Sequence, residues 1–371
     1  MAEFVSALAA AGPLGITPYQ PGKPVEELER QYGIQNSIKL ASNENPLGPG
    51  PFALEALRKA ASTVGAYPDS SGYYLKQKLS ERYQVDPDQL VLGNGSNEVL
   101  ELVARAFLTP GTSAVMSDYC FTVYPTVTQS AGAELITVAA DEWGHDLNAM
   151  AAAVKDNTRV VFIANPNNPT GSWVDRAALI EFLDRLPDHL VVVLDEAYIE
   201  YSAGTDFPDG LALLARYPRL IVLRTFSKIY GLAGVRVGYG VADSQVIELL
   251  NRVREPFNVN SLGLVAAAAA LDDVEHLQRS LRLNDQGMSQ LMTGIEKIGL
   301  AFIPSKGNFL LVDLGRPALP VYEGMLRRGV IVRPVGNYQM PNHLRITVGR
   351  QVENSRCLSA LAEALDETID D

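Results

Sequence analysis

Five short apolar runs constrain the fold more than any other feature: "SAVMS" from Ser113, "AELITVA" from Ala133, "RVVFIANP" from Arg159, "LVVVLDEA" from Leu190 and "RLIVLRTF" from Arg219. They are nearly continuous apolar runs, rich as a set in Val, Ile and Leu, the pattern of strands buried on both faces, and such strands belong to parallel sheets. Helical patterns such as "VDRAALIEFLDRL" lie between several of them, as right-handed βαβ crossovers require. The predicted fold class is therefore α/β, with a large unit built on a mostly parallel central sheet flanked by helices.

The rest of the chain extends this reading. "PFALEALRKAAS" and "NEVLELVARAFL" read as helices and "QLVLGNG" as a strand and turn. A long helical stretch, "VEHLQRSLRLNDQGMSQLMTGIEKIG", leads into a smaller α+β unit, in which "GNFLLVDL", "GVIVRPV" and "HLRITVG" read as strands and "VENSRCLSALAEALDET" as a closing helix. The first fifty residues contain "ITPYQPGKP" and "ASNENPLGPG", which proline and glycine bar from regular helix or central strand. They read as an arm. The expected division is an arm over 1–50, packing on the small unit and the active site, a large unit over 51–275 and a small one over 276–371.

Charge and cysteine content narrow the function. A formal charge of -12 with only 31 Lys plus Arg, and no basic run, argues against a nucleic-acid partner. Cys120 and Cys357 lie far apart and form no Cys/His cluster, which speaks against structural zinc or any other metal and suits a reducing, cytoplasmic setting. The uncharged stretch from Phe4 to Gly22 follows Glu3, lacks a basic flank and is broken by Gly12, Pro13, Gly15 and Pro18, so neither export nor a membrane span is expected.

In an open parallel sheet, ligands bind beyond the carboxyl ends of the strands, so the polar residues there matter most. After "LVLG" come Gly95, Ser96 and Asn97 at a helix start, which suits either an anion site or an ordinary side-chain cap. After "VVFIA" comes "NPNNPTG", whose asparagines, Asn168 among them, could simply brace a rigid turn. Asp195 ends a buried run with Tyr198 three residues on, and a buried carboxylate calls for a charged partner. After "LIVLRT" comes Lys228, followed eight residues later by Arg236. One ligand would use all of these: a phosphate for Ser96, Asn97, Thr225, Ser227 and Arg236, a carbonyl for Lys228 and a ring cation for Asp195. Pyridoxal 5'-phosphate fits that description.

The motifs "NPNNPTG", "DEAY" and "SKIYGLAGVRVG", in that order, resemble those of the fold-type I pyridoxal-phosphate aminotransferases. The likeness covers essentially the whole chain and is strongest to the histidinol-phosphate branch, through "PYQPGKP", "LASNENPLGPG", "YPD", "GNGSNEVL", "GVIVRPV" and "LRITVG". The resemblance implies the fold-type I architecture, a homodimer with shared sites, and the following roles. Lys228 would tether the cofactor and move a proton at the substrate Cα, Asp195 would hold the ring nitrogen protonated, and Asn168 and Tyr198 would bond the ring 3'-oxygen. Gly95, Ser96, Asn97, Thr225, Ser227 and Arg236 would grip the phosphate, with Tyr67 reaching it from the partner subunit. Phe121 would stack on the ring, although Tyr119 is a second candidate and the spacing to Tyr124 favours Phe121. Both Phe121 and Tyr67 could instead be packing aromatics. Arg345 would take the substrate carboxylate and Arg333 a substrate phosphate, with Tyr19 and Asn43 closing over it, unless Arg333 is simply solvated.

The expected reaction is amino transfer between L-histidinol phosphate and 2-oxoglutarate, giving glutamate, in histidine biosynthesis. Two rivals share the fold, a threonine-phosphate decarboxylase and an aromatic amino-acid aminotransferase. A third, a cofactor-binding regulator without turnover, would need a DNA-binding unit for which residues 1–50 offer neither the length nor a basic helix.

Overall fold

The computed structural model describes residues 3–202, 204 and 206–367. Within the first fifty, a helix spans Val25–Tyr32 and a two-residue strand, β1, spans Ile38–Lys39, while both proline-rich stretches stay irregular. Those prolines lack the N–H that a helix or strand ladder would use.

The large sheet contains β2 (Leu90–Gly93), β3 (Ser113–Ser117), β4 (Glu134–Val138), β5 (Thr158–Ala164), β6 (Val191–Asp195), β7 (Leu220–Thr225) and β8 (Gly238–Val241), in the order β2-β8-β7-β6-β5-β3-β4. Strands β3 to β7 run parallel to one another, and β8 runs antiparallel to both β7 and β2. All five apolar runs are strands. Along β5, Val161 and Ile163 enter one buried cluster while Val160 and Phe162 enter another, so each face of the sheet has its own helical cover. One expectation fails: "AELITVA" forms the edge strand β4, where Glu134 is exposed and only Val138 is buried, because no strand lies beyond it.

The helix Val274–Ile298 is capped by Asp273, which accepts the N–H of His276, and ends on Gly299 at φ +84°. It delivers the chain to β9 (Ala301–Ile303), β10 (Phe309–Asp313), β11 (Val330–Ile331), β12 (Arg333–Val335) and β13 (Met340–Thr347). Four of these make an antiparallel sheet in the order β12-β13-β10-β9, covered by the helices Ala318–Arg327 and Gln351–Glu367. The final residue of the expected closing helix, Thr368, lies outside the described residues.

The run "GVIVRPV" divides at Val332. Its first half, β11, pairs in parallel with β1 of the arm, and its second half, β12, pairs with β13. The arm is therefore stitched to the C-terminal sheet and then passes over the end of the large one, where Asn45 donates to the carbonyl of Ile229 at 2.6 Å and to Ser280 Oγ at 2.8 Å. Among the described residues, no helix is long and apolar enough to cross a membrane.

Candidate active site

The carboxyl ends of β5, β6 and β7, the turn after β2, the arm and strands β12 and β13 converge on a cavity of about 250 Å³. At one end, Gly95 occupies the N-cap of the helix Ser96–Phe107 at φ +80° and offers no side chain to cap it. The capping alternative for Ser96 and Asn97 is thereby overturned: they form the first helical turn, whose N–H groups have no intrahelical acceptor. A Cβ on Gly95 would lie 2.2 Å from Arg236 Nη2, and one on Gly238 would lie 2.2 Å from Ser96 N. Only glycine lets the guanidinium and the strand come this close. Arg236 donates to Ser227 Oγ at 3.2 Å and to the carbonyl of Ala233 at 3.1 Å, and Thr225 Oγ1 accepts the N–H of Ser227 at 3.1 Å. Helix terminus, hydroxyls and unpaired guanidinium together make an anion subsite.

Asp195, at the end of β6, is 5% exposed. Its expected charged partner is not in contact: among the described residues no cationic nitrogen lies within ion-pair distance, and the carboxylate accepts the Tyr124 hydroxyl at 2.8 Å and the N–H of Ala197 at 3.2 Å. Burial pushes its pKa up to about 6, against the pull of the Tyr124 hydrogen bond and the more distant Lys228 charge. A buried carboxylate held only by neutral donors suits a ligand that brings its own cation.

Lys228 is no solvated amine. It is half-buried, donates to the carbonyl of Ser42 at 3.3 Å and lies 5.4 Å from the centre of the Tyr198 ring. Burial, reinforced by Arg345 and Arg236 and opposed by Glu44, lowers its pKa to about 8, which makes a neutral, nucleophilic amine accessible.

The asparagines of "NPNNPTG" divide their duties. Asn165 braces Val174, and Asn167 braces Tyr119 O and Thr170, whereas Asn168 lines the cavity and accepts from Arg345. Arg345 also donates to the carbonyl of Ala41 at 2.6 Å, and its buried Nε has no partner. Cross-strand pairing sets Arg333 opposite Arg345, and the Arg333 guanidinium lies 5.4 Å from the Tyr19 ring centre. Among the described residues no carboxylate ion-pairs with Arg236, Arg333 or Arg345. Asn43 lines the same cavity, donating to Tyr198 Oη at 2.9 Å while its Oδ1 accepts Thr347 at 3.1 Å.

A profile of the family "Aminotransferase class I and II" matches residues 35–361. The chain belongs to that family. Within it, the histidinol-phosphate aminotransferase 2 of Pseudomonas fluorescens (strain Pf0-1) is 58% identical over 361 residues, 97% of this chain and 98% of that protein. Its namesake from Pseudomonas aeruginosa is 57% identical over 98% of this chain and 99% of its own. The crystal structure of histidinol-phosphate aminotransferase from Sinorhizobium meliloti, in complex with pyridoxal-5'-phosphate, matches at 30% identity with a TM-score of 0.88, covering 94% of this chain and 96% of that one.

In this aminotransferase Phe121 lines the cavity, whereas Tyr119 turns away at φ +55° to pack on Trp143. Tyr67 is outside the cavity, 84% exposed and stacked on Phe257 at 4.7 Å. Sequence reasoning missed two aromatic lining residues of this aminotransferase, Tyr124 and Tyr338. The first carried a faint signal, one helical turn after Phe121. The second carried none, since it reaches the cavity only through the placement of the turn between β12 and β13.

Proposed function

We propose that this aminotransferase moves an amino group between L-histidinol phosphate and 2-oxoglutarate, yielding imidazole acetol phosphate and L-glutamate in histidine biosynthesis, with pyridoxal 5'-phosphate as cofactor. The observation that carries this reading is the adjacent pair Arg333 and Arg345, free of carboxylate partners, facing the same cavity as Lys228. Two guanidiniums suit a phosphate dianion, and Arg345 by itself suits an α-carboxylate. The two substrates would thus use one pocket in turn.

The cofactor fits the residues present. Its phosphate would be held by the N–H groups of Ser96 and Asn97, the hydroxyls of Thr225 and Ser227, and Arg236, in the space that Gly95 and Gly238 leave open. Asp195 would take the ring nitrogen, Asn168 and Tyr198 the 3'-oxygen, and Phe121 a ring face. When bound, the cofactor supplies a carbonyl that condenses with amines and a ring that draws electrons from the substrate Cα. Lys228 would hold the cofactor and would take the proton from the substrate Cα, a role for which its lowered pKa is matched. The Tyr19 ring, 5.4 Å from the Arg333 guanidinium, would help hold that cation in place.

A homodimer in the cytosol completes the proposal. The exposed aromatics Phe52, Tyr67, Tyr73, Tyr74 and Phe257 offer an apolar surface for a second copy, which would carry Tyr67 to the partner's phosphate subsite. Light scattering should return twice the mass of one chain, and a monomer would reject this part. Cys120 and Cys357 are both buried and unpaired, which suits reducing conditions.

Absorbance-monitored half-reactions test the function. Histidinol phosphate should convert the pyridoxal form to the pyridoxamine form, and 2-oxoglutarate should reverse it. Absence of conversion, with carbon dioxide released from threonine phosphate, would sink the reading; stronger turnover of tyrosine or phenylalanine than of histidinol phosphate would favour the aromatic alternative. In the same assay, Arg333→Ala should lower kcat/KM for histidinol phosphate by about 10- to 100-fold, the worth of a hydrogen bond to a charged group, while glutamate is affected much less. Equal losses would remove Arg333 from the phosphate site.

A further inference from the structure

We propose that Tyr124 is a positioning residue for this reaction, its hydroxyl fixing the Asp195 carboxylate to receive the ring nitrogen of the bound cofactor. The inference rests on the cofactor reading above and goes beyond it, since Tyr124 is not among the residues that the resemblance assigns.

Tyr124 is fully buried and donates to Asp195 Oδ2 at 2.8 Å. The other carboxylate oxygen accepts the N–H of Ala197 at 3.2 Å, so each oxygen has one donor and the plane of the group is set. Each oxygen keeps a lone pair for a further donor. The phenol itself is held firmly: its ring stacks on Phe162 at 4.9 Å and 7°, the edge of Phe121 meets it at 5.8 Å and 83°, and its N–H donates to the Phe121 carbonyl at 3.0 Å. Burial and the neighbouring Asp195 charge push its pKa well above that of a free phenol, so it remains the donor.

The groups that face Asp195 leave this task to Tyr124. Tyr198 and Lys228, from the loops after β6 and β7, also interact with its charge, and neither is hydrogen-bonded to the carboxylate. Without the Tyr124 hydroxyl, Oδ2 would be buried with no donor until the cofactor arrived, and the carboxylate would be free to turn or to take a proton. Either change weakens its grip on a ring N–H. The first turn of the helix Val123–Ser130 therefore serves the site twice, through Phe121 at its threshold and Tyr124 one turn later.

The test compares two ligands on the full-length apo protein: pyridoxal 5'-phosphate and its 1-deaza analogue, in which carbon replaces the ring nitrogen while the phosphate, carbonyl and 3'-hydroxyl remain. Y124F keeps the ring and its stacking and removes only the donor. Its Kd for pyridoxal 5'-phosphate should rise about ten-fold, as for loss of a hydrogen bond to a charged group, and its Kd for the analogue should stay within about two-fold. In a D195A background, where no carboxylate is left buried without a donor, adding Y124F should leave the pyridoxal 5'-phosphate Kd unchanged. Equal weakening for both ligands, no weakening for either, or an additive effect in the D195A background would overturn the proposal and reduce Tyr124 to a packing residue. Failure of the unaltered chain to bind pyridoxal 5'-phosphate would reject the cofactor reading itself, and this inference with it.

Discussion

Lys228→Ala should reduce kcat in the histidinol-phosphate half-reaction by about two to four orders of magnitude, the range that a positioned acid–base group supplies. No other amine can substitute among the residues lining the cavity, where Lys228 is the single lysine. Borohydride should fix pyridoxal 5'-phosphate to the unaltered chain and release it unfixed from the variant; a covalent adduct in the variant would place the reactive amine elsewhere. The pH dependence has a definite sign. The neutral amine is the nucleophile, and burial with the Arg345 charge lowers its pKa to about 8. Covalent uptake by the apo protein should therefore speed up as pH rises toward 8 and level off above it, whereas an amine at the ordinary lysine value would keep gaining rate to about pH 10.

The second large effect concerns stability. Arg224 is 3% exposed, and through Nε and Nη2 it holds Glu196 Oε2 at 2.9 and 2.7 Å, while the other Glu196 oxygen accepts the N–H of Gly210 at 2.7 Å. Both residues lie one position from the site, Glu196 after Asp195 and Arg224 before Thr225, with side chains on the opposite face of the sheet, as strand alternation requires. Arg224→Ala leaves a buried carboxylate without its cation and should cost about 3–5 kcal/mol in urea unfolding. The further contact to Asp209 adds little, because that carboxylate is 52% exposed. Replacing both partners, as Arg224→Met with Glu196→Gln, should recover most of the loss, since no charge is then stranded. A loss below about 1 kcal/mol for Arg224→Ala would show that water reaches Glu196 after all, as in an exposed pair.

Much of the site was legible because strand ends are local features. Asp195, Thr225 and Asn168 each follow an apolar run whose burial is written in its own composition, and all three line the cavity. The glycines of the segment after Lys228 answer to different neighbours: Gly238 brings β8 against the start of the helix Ser96–Phe107, Gly231, at φ +68°, packs against the Gly48 carbonyl of the arm, and a Cβ on Gly234 would meet open space. Strand β8 itself, "GYGV", escaped notice because two glycines in four residues erase the apolar signal.

By itself, the sequence determined the alternation of buried strands and helices, and with it the sheet edge at which polar residues had to gather, since burial on both faces selects residues one at a time. Tertiary structure alone decided which distant side chains meet there. Tyr124 finds Asp195 across 71 positions, Asn43 finds Tyr198 across 155 and Arg345 finds Asn168 across 177. Hydrophobic periodicity records whether a residue is buried and says nothing about its partner. The partner follows from how the arm, the turns and the second sheet pack over the strand ends.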